Sequence, residues 1–320
     1  MKLEHEFYKL PLTFDVNKLA EEVLSLNEEQ WIPHPDGFVG NFSIPLISLN
    51  GEQNNAFNGP MKVTPVLSQL EYISQILSSF GEVFGRSRLM RLSPGTEVPL
   101  HTDTNYHWYK RVRIHIPIIT DEKVIFHCDE KNVHMAAGET WIFDTWKHHK
   151  VINNGKTNRI HLVIDTSGSS KFWNMVSKSA IPCEGIPAKI AAIHLPFQQG
   201  KSVKILTESY NSPVVMSAGE MEGIISDIIN EMHAMPSNNK NDVKNIELVL
   251  KRLTQDWRQI WSLYADTEAG WQHYSKLRNY MGNISQQFNE NIVATNGVSI
   301  AKVLQYCVLI PALNNIKIVN

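Results

Sequence analysis

The sequence predicts a mainly β core, a barrel or sandwich of the double-stranded β-helix (jelly-roll, cupin-like) kind. Flanking helices and an α-helical C-terminal region accompany it. Three observations carry that expectation. Short β-rich runs alternate with Gly, Pro, Asn and Asp turns through the first half: FSIPLISL, SRLMRL, RVRIHIPII, KVIFHC, TWIFD and RIHLVID. Two of these runs place arginine and histidine on one face and aliphatic residues on the other, as a polar-lined β interior requires. After about Ser170 the apolar residues change to helical spacing.

Taken in order, helices are expected around Val16–Leu26 and Val66–Phe80. Arg88 and Arg91 lie three apart, so in a regular strand at most one points inward. In the next strand Val112, Ile114, Ile116 and Ile118 share one face, and Arg111, Arg113, His115 and Pro117 share the other. The strand from Arg159 to Asp165 repeats the pattern: Arg159, His161 and Val163 against Ile160, Leu162 and Ile164. An ordinary half-buried strand would simply wet its polar face. Two such faces beside a set of metal-ligand residue types read as inward.

Residues Cys183 to Pro213 show no clear period. Ser217-x-x-Glu220 is a capping-box pattern, followed by Met221, Ile224, Ile225, Ile228, Ile229 and Met232 on one helical face. Pro236 ends that helix, and Val243 to Tyr264 mark a longer one. Two more helices are expected over about Gly270–Asn291 and Val298–Leu309. The organisation read from this is a double-stranded β-helix core with N-terminal helices over 1–180, and a mostly helical extension packed on it over 181–320. The polar stretch Pro236–Asp242 separates two helices, not the two regions, and Trp257, Trp261 and Trp271 require a partner surface. A substrate lid, a homodimer interface and a carrier-protein dock are the roles open to the extension.

The 320 residues, 42% apolar and 19% charged, suffice for a sizeable core. A formal net charge of -2 gives no electrostatic case for nucleic acid. Cys128, Cys183 and Cys307 are scattered, with neither metal-site spacing nor a disulfide framework. No signal peptide is legible in MKLEHEFYKLPLTFDV, and no apolar run reaches the roughly 18 residues of a membrane span. A cytoplasmic protein with no membrane partner is the expectation.

The chemistry concentrates between Pro99 and Asp165. His101-x-Asp103 follows a PGTEVPL turn, a second histidine stands at His149, and Arg159 comes ten residues later. Two imidazoles and one carboxylate make a facial triad for non-haem Fe(II), with coordination positions left open. His101-x-Asp103 alone is a common surface-loop pair; the combination with His149 and Arg159 is far more specific. His148 and His149 are adjacent, so their side chains face opposite ways in a strand and only one can bind. The offset to Arg159 favours His149. A guanidinium fork beyond the last ligand suits a dicarboxylate such as 2-oxoglutarate.

These motifs resemble the aspartyl/asparaginyl β-hydroxylase family and, within it, the bacterial enzymes that hydroxylate free L-proline at the cis-4 position. The matching residues are Arg88-Leu-Met-Arg91, Pro94-Gly-Thr, His101-x-Asp103, Arg113-x-His115, His134-Met135, Gly138-Glu139-x-Trp141, Phe143-Asp144, His149 and Arg159-x-His161-Leu-Val-x-Asp165. The likeness covers about residues 40–170. It implies a double-stranded β-helix, Fe(II), 2-oxoglutarate and O2, and C–H hydroxylation with release of succinate and CO2. Vertebrate members lack the carboxylate ligand; Asp103 places this chain with the small-molecule enzymes. The resemblance further implies that Arg159 binds the distal carboxylate of 2-oxoglutarate and that Arg113 and His115 line the cosubstrate or substrate side.

The expected substrate is an amino acid or amino-acid derivative, free or bound to a carrier or peptide. Arg88, Arg91, Trp108 and His161 are candidate substrate contacts. Oxidative halogenation is disfavoured, because that chemistry usually replaces the carboxylate by a small residue so that halide can reach iron. A non-catalytic cupin-like sensor leaves the intact triad with Arg159 unexplained, and a zinc hydrolase lacks a general base.

Overall fold

The computed structural model describes residues 1–314. In chain order its elements are β1 (Phe7–Phe14), α1 (Val16–Leu24), β2 (Ile32–Pro33), β3 (Asn41–Leu49), β4 (Met61–Val63), α2 (Glu71–Phe80), β5 (Val83–Leu92) and β6 (Thr96–His101). Then come α3 (Tyr106–Lys110), β7 (Val112–Ile119), β8 (Val124–Cys128), β9 (Lys131–Val133), β10 (Glu139–Phe143), β11 (His149–Asn153), β12 (Arg159–Thr166) and α4 (Ser170–Val176). The rest are β13 (Ile193–Leu195), β14 (Leu206–Thr207), α5 (Ala218–Ala234), α6 (Lys240–Tyr264), α7 (Trp271–Ser285) and α8 (Ile300–Leu304). A π-helical turn, Gln305–Leu309, continues α8.

Among the described residues the strands form a ten-stranded sheet, ordered β13-β1-β10-β7-β12-β5-β3-β2 with β14 on β5 and β4 on β3, and a four-stranded sheet, β6-β11-β8-β9. This is a double-stranded β-helix. The large sheet is apolar on one face, where Ile114, Ile116, Ile160, Leu162 and Ile164 pack with Leu19, Ile73, Leu77 and Phe172 of the helices. Its other face meets the small sheet around Phe126, Trp141, Phe143 and Val151.

The chain divides into two units, Met1–Asp103 with Lys110–Asn211, and Thr104–Tyr109 with the residues from Ser212 on. The sequence had placed the change near residue 180. Residues 181–211 instead complete the β unit, through contacts that no periodicity announces. β13 lies parallel to β1, and β14 parallel to β5. The Tyr72 hydroxyl donates to the Leu195 carbonyl at 2.5 Å. Arg111 makes a bidentate pair with Glu208, at 2.7 and 2.9 Å, in a buried setting.

Two other departures have local causes. β1 carries Pro11 and buries residues on both faces, so it lacks a period of two; its register shifts between Leu10 and Thr13. The helix expected over Val66–Phe80 is interrupted at Leu70, because Glu22 of α1 accepts from the backbone N–H groups of Tyr72 and Ile73 and caps α2 there. Gly81, at φ 67°, ends α2 in the left-handed conformation.

In the second unit, α5 buries Met221, Ile224, Ile225, Ile228 and Met232, and α6 buries Val243, Ile246, Leu250, Leu253 and Trp257. Ser217 caps α5 by accepting from the Glu220 N–H. Trp257 packs on Tyr274 with ring centroids 4.6 Å apart. Thr104–Tyr109 is held within this unit: Tyr106 donates to Glu220 at 2.7 Å, and Tyr109 donates to Asp227.

A chain ending at Ala180 loses β13, β14 and Glu208 and is expected to be insoluble or to unfold without a cooperative transition. Glu208→Gln isolates one contribution. Breaking a buried ion pair costs about 3–5 kcal/mol, so the midpoint of urea unfolding should fall clearly with an unchanged slope. An unaltered midpoint would show that the Arg111 pair is dispensable.

Candidate functional site

The pleat and the register of three neighbouring strands build the site. β12 pairs with β5 on one side and β7 on the other. Val163 therefore stands between Arg88 and His115, His161 between Met90 and Pro117, and Asp165 beside Arg113. Arg159 stands opposite Leu92. Each of these rows faces the interior, while the alternate residues fill the helix-covered core.

The small sheet supplies the ligand candidates. His101 ends β6 and His149 begins β11, directly opposite each other, with ring centroids 4.2 Å apart. Asp103 lies just beyond β6, its backbone N–H donating to the Thr145 carbonyl at 2.9 Å. One ligand atom from each of the three residues lies within 4.8 Å of the others. His101 Nε2 is 3.9 Å from Asp103 Oδ1, and His149 Nε2 is 4.0 Å from Asp103 Oδ2.

The tautomers are fixed by what the other ring nitrogens touch. His101 Nδ1 is 2.7 Å from the Pro99 carbonyl, and His149 Nδ1 is 2.9 Å from the Lys147 carbonyl. A carbonyl only accepts, so each Nδ1 carries its proton and each Nε2 presents a lone pair toward Asp103. Burial works against the Asp103 carboxylate, but Arg113 at 3.6 Å and then His149 outweigh it and hold its pKa below the ordinary value. Burial pulls His149 down to about 4, more than Asp103 raises it. Both states suit a cation between them: an ionised carboxylate and a neutral imidazole.

Deeper in the interior, Arg159 is 4% exposed. Burial alone lowers its pKa, to about 9, so the guanidinium stays charged at neutral pH. Among the described residues no carboxylate lies within ion-pair distance of it. Its Nε has no hydrogen-bond partner among the described residues, and one terminal nitrogen reaches the Met90 carbonyl at 3.4 Å. His115 and His161 are also buried, with no partner for either ring nitrogen among the described residues. Burial, then nearby arginines, hold both far below the ordinary histidine pKa: Arg113 and Arg159 for His115, Arg159 for His161.

A second cationic wall holds Arg88, Arg86 and Arg113. Arg88 is 5% exposed and donates to the Asn55 side-chain oxygen at 3.3 Å. Arg86 donates to the Asn55 backbone carbonyl at 3.1 Å and has its guanidinium carbon 3.9 Å from the Phe57 ring centroid. Asp165 approaches Arg113 at 3.3 Å and Arg86 at 3.9 Å.

Most sequence-predicted site residues therefore converge: His101, Asp103, His149, Arg113, His115, Arg159, His161 and Arg88. Arg91 does not join them. It lies on the opposite face, paired with Glu28 at 2.7 Å and stacked against Trp31 and Phe42. Parity required one of the two arginines to turn away. Trp108 belongs to the second unit, where its ring meets His107 edge-on at 4.5 Å. His148 is exposed. The sequence reading passed over Arg86 and quoted Asp165 only as part of a motif, without a site role, although each shares parity with a residue it had named, Arg88 and Arg159. It had no means of finding Asn55 and Phe57, which reach the site from an irregular loop.

His149 and His34 both have pKa values lowered to about 4, burial being the largest cause. The unfolded chain takes up these protons near pH 6.5, the folded chain only near 4. Their contribution to stability is thus present above about pH 6.5 and is lost as pH falls toward 4. The thermal midpoint of metal-free protein should drop across that window. A flat profile from pH 7 to 4 would mean that the imidazoles are not buried.

Comparison with known proteins finds relatives of the segment that carries the motif set. Residues 50–168 match the sequence model of aspartyl/asparaginyl β-hydroxylase. Over 157 residues the chain is 26% identical to L-proline cis-3-hydroxylase 1 of Streptomyces sp, covering 45% of this chain and 52% of that protein. Over 160 residues it is 24% identical to L-proline cis-4-hydroxylase of Rhizobium meliloti (strain 1021), covering 48% and 57%. The chain thus spans about half the length of the curated relatives it matches. Among solved structures, an oxidoreductase of the 2OG-Fe(II) oxygenase family from Burkholderia pseudomallei aligns with a TM-score of 0.36 and 12% identity, over 48% of this chain and 79% of that one. The segment that matches that model, residues 50–168, contains every one of the converging side chains.

Proposed function

We propose that this protein is an Fe(II)- and 2-oxoglutarate-dependent dioxygenase that hydroxylates an unactivated C–H bond of an amino acid or a close derivative, releasing succinate and CO2. The observation that carries this reading is Arg159. A guanidinium buried in a β interior with no carboxylate partner among the described residues favours an anionic ligand. It shares that interior with a triad whose free nitrogens and carboxylate converge.

His101, Asp103 and His149 would hold the metal through two Nε2 lone pairs and one carboxylate, and Arg159 would hold the distal carboxylate of the cosubstrate. Fe(II), 2-oxoglutarate and O2 supply the oxidising chemistry when bound. The chain's own part is to aim and to dry. The carbonyl bonds of Pro99 and Lys147 orient the two imidazoles, and Arg113 keeps Asp103 ionised. Phe126 and Phe143 wall the interior against water.

The substrate is read from the second cationic wall. Arg88 is buried, and its hydrogen-bonded neighbour is a neutral amide oxygen. It would receive a substrate carboxylate, which favours a free amino acid over one linked through that group to a carrier or peptide. The two curated relatives are proline hydroxylases, and L-proline heads the panel to assay. The cytoplasm, where thiols stay reduced, fits the three free cysteines.

Replacing His149 by alanine should abolish turnover and sharply weaken Mn(II) binding followed by electron paramagnetic resonance. Full activity in that variant would shift the assignment to His148. Arg159→Ala removes the partner of a buried carboxylate, a loss of about 2–5 kcal/mol, so the 2-oxoglutarate requirement should rise by orders of magnitude. Arg159→Lys should also be impaired, because a point ammonium does not reproduce the fork. Unchanged 2-oxoglutarate affinity in both would rule out this role.

A further inference from the structure

We propose that His161 is a second hydrogen-bond donor to the carboxylate at the Arg159 end of the interior, and so sets the preference for a five-carbon diacid. This rests on the reading of that interior as a 2-oxoglutarate pocket. The sequence alone had set His161 among the substrate contacts; its surroundings place it elsewhere.

His161 follows Arg159 by two residues on β12, so their side chains leave the same face in adjacent rows. Its lateral neighbours across the sheet are Met90 and Pro117, whose side chains offer it no N–H or oxygen partner. It is 0% exposed. Its ring stacks on Phe126 at 5.2 Å and 21°, and the Arg159 guanidinium carbon lies 5.3 Å from the centroid of that same ring. The imidazole and the guanidinium are thus gathered on one aromatic neighbour.

The hydrogen-bonding account points the same way. A neutral imidazole carries one N–H, and burial followed by the adjacent Arg159 charge keeps His161 neutral. That N–H has no acceptor among the described residues, and neither does the Nε–H of Arg159. Buried donors are normally satisfied. One carboxylate brings two oxygens, one for each of these donors.

His115 presents the same orphaned nitrogens but lies toward the metal end. Its ring is 5.1 Å from Phe143, which in turn is 5.2 Å from His149. It lies 5.8 Å from His161. The two histidines therefore occupy successive positions between the triad and Arg159, and the deep position is that of His161.

Anaerobic calorimetry on the Mn(II)-loaded full chain tests this with two probes. One is 2-oxoglutarate; the other is 2-oxopentanoate, which has the same carbon chain but a methyl group in place of the distal carboxylate. His161→Phe keeps the stacking on Phe126 and removes the donor. It should weaken 2-oxoglutarate binding by about tenfold to a hundredfold, the range for hydrogen bonds to charged groups, and leave 2-oxopentanoate within about twofold. His161→Gln, which restores an N–H, should recover most of the loss. If His161→Phe does not fold, His161→Leu carries the same comparison against His161→Gln. Equal losses for both acids, or no loss for 2-oxoglutarate, would overturn the assignment. A wild-type protein that binds both acids alike, with Arg159→Ala no different, would instead overturn the pocket reading itself and the role of His161 with it.

Discussion

Everything in the β unit depends on the pairing of β12 with β5 and β7. All eight residues of β12 are buried, yet they serve two interiors of opposite character. Ile160, Leu162 and Ile164 belong to the helix-covered core. Arg159, His161 and Asp165 face the small sheet. A slip of one residue would exchange the two sets. It would drive a guanidinium, an imidazole and a carboxylate into hydrocarbon, at a cost no local rearrangement could offset. Register is therefore strongly specified, and the same specification aligns the functional rows. The aliphatic half of each strand is what fixes the polar half in space.

The polar interior itself works against stability. Arg159 and Arg88 lack a carboxylate partner, and His115 and His161 lack any hydrogen-bond partner, among the described residues. Groups left in that condition are destabilising unless something arrives to satisfy them. The large apolar layer built from Leu19, Ile73, Leu77, Phe84 and the outer residues of β7 and β12 offsets them. A protein optimised only for folding would fill this interior with leucine. Its retention of cations and neutral imidazoles fits the proposed anion pocket, and on that reading ligand binding should stabilise the fold by linkage.

What was legible in the sequence follows from the same pleat. Alternation over Arg111–Ile118 and Arg159–Asp165 announced both the strands and their inward faces, because a period of two survives translation into space. Helical faces on α5 and α6 were legible for the analogous reason. Features that depend on a partner distant in sequence were not. Glu22 breaks a helix at Leu70 that local spacing would have continued. Residues 181–211 join the β unit through a phenol on Leu195 and a carboxylate on Arg111, neither of which leaves a periodic trace. Arg88 and Arg91 could be known to diverge, but only the structure shows that Arg91 goes to Glu28. Asn55 and Phe57 come from a loop with no period at all.

The cluster of His101, Asp103 and His149 illustrates how little of a site's precision resides in the clustered side chains themselves. His101 and His149 face each other because β6 and β11 pair in one register. Their nitrogens converge on Asp103 because two backbone carbonyls, Pro99 and Lys147, consume the opposite ring positions. The carboxylate is ionised because Arg113, itself on an inward face of β7, outweighs the effect of burial. Each of the three side chains is thus oriented by a group fixed in the backbone or on an inward strand face: the Pro99 carbonyl of β6, the Lys147 carbonyl just before β11, and Arg113 of β7. Changing Pro99 or Lys147 to another residue would leave those carbonyls in place, which makes the orientation robust to side-chain variation. Changing the register would not. That asymmetry explains why His101-x-Asp103 alone says little in a sequence, whereas the same residues set between two alternating strands say a great deal.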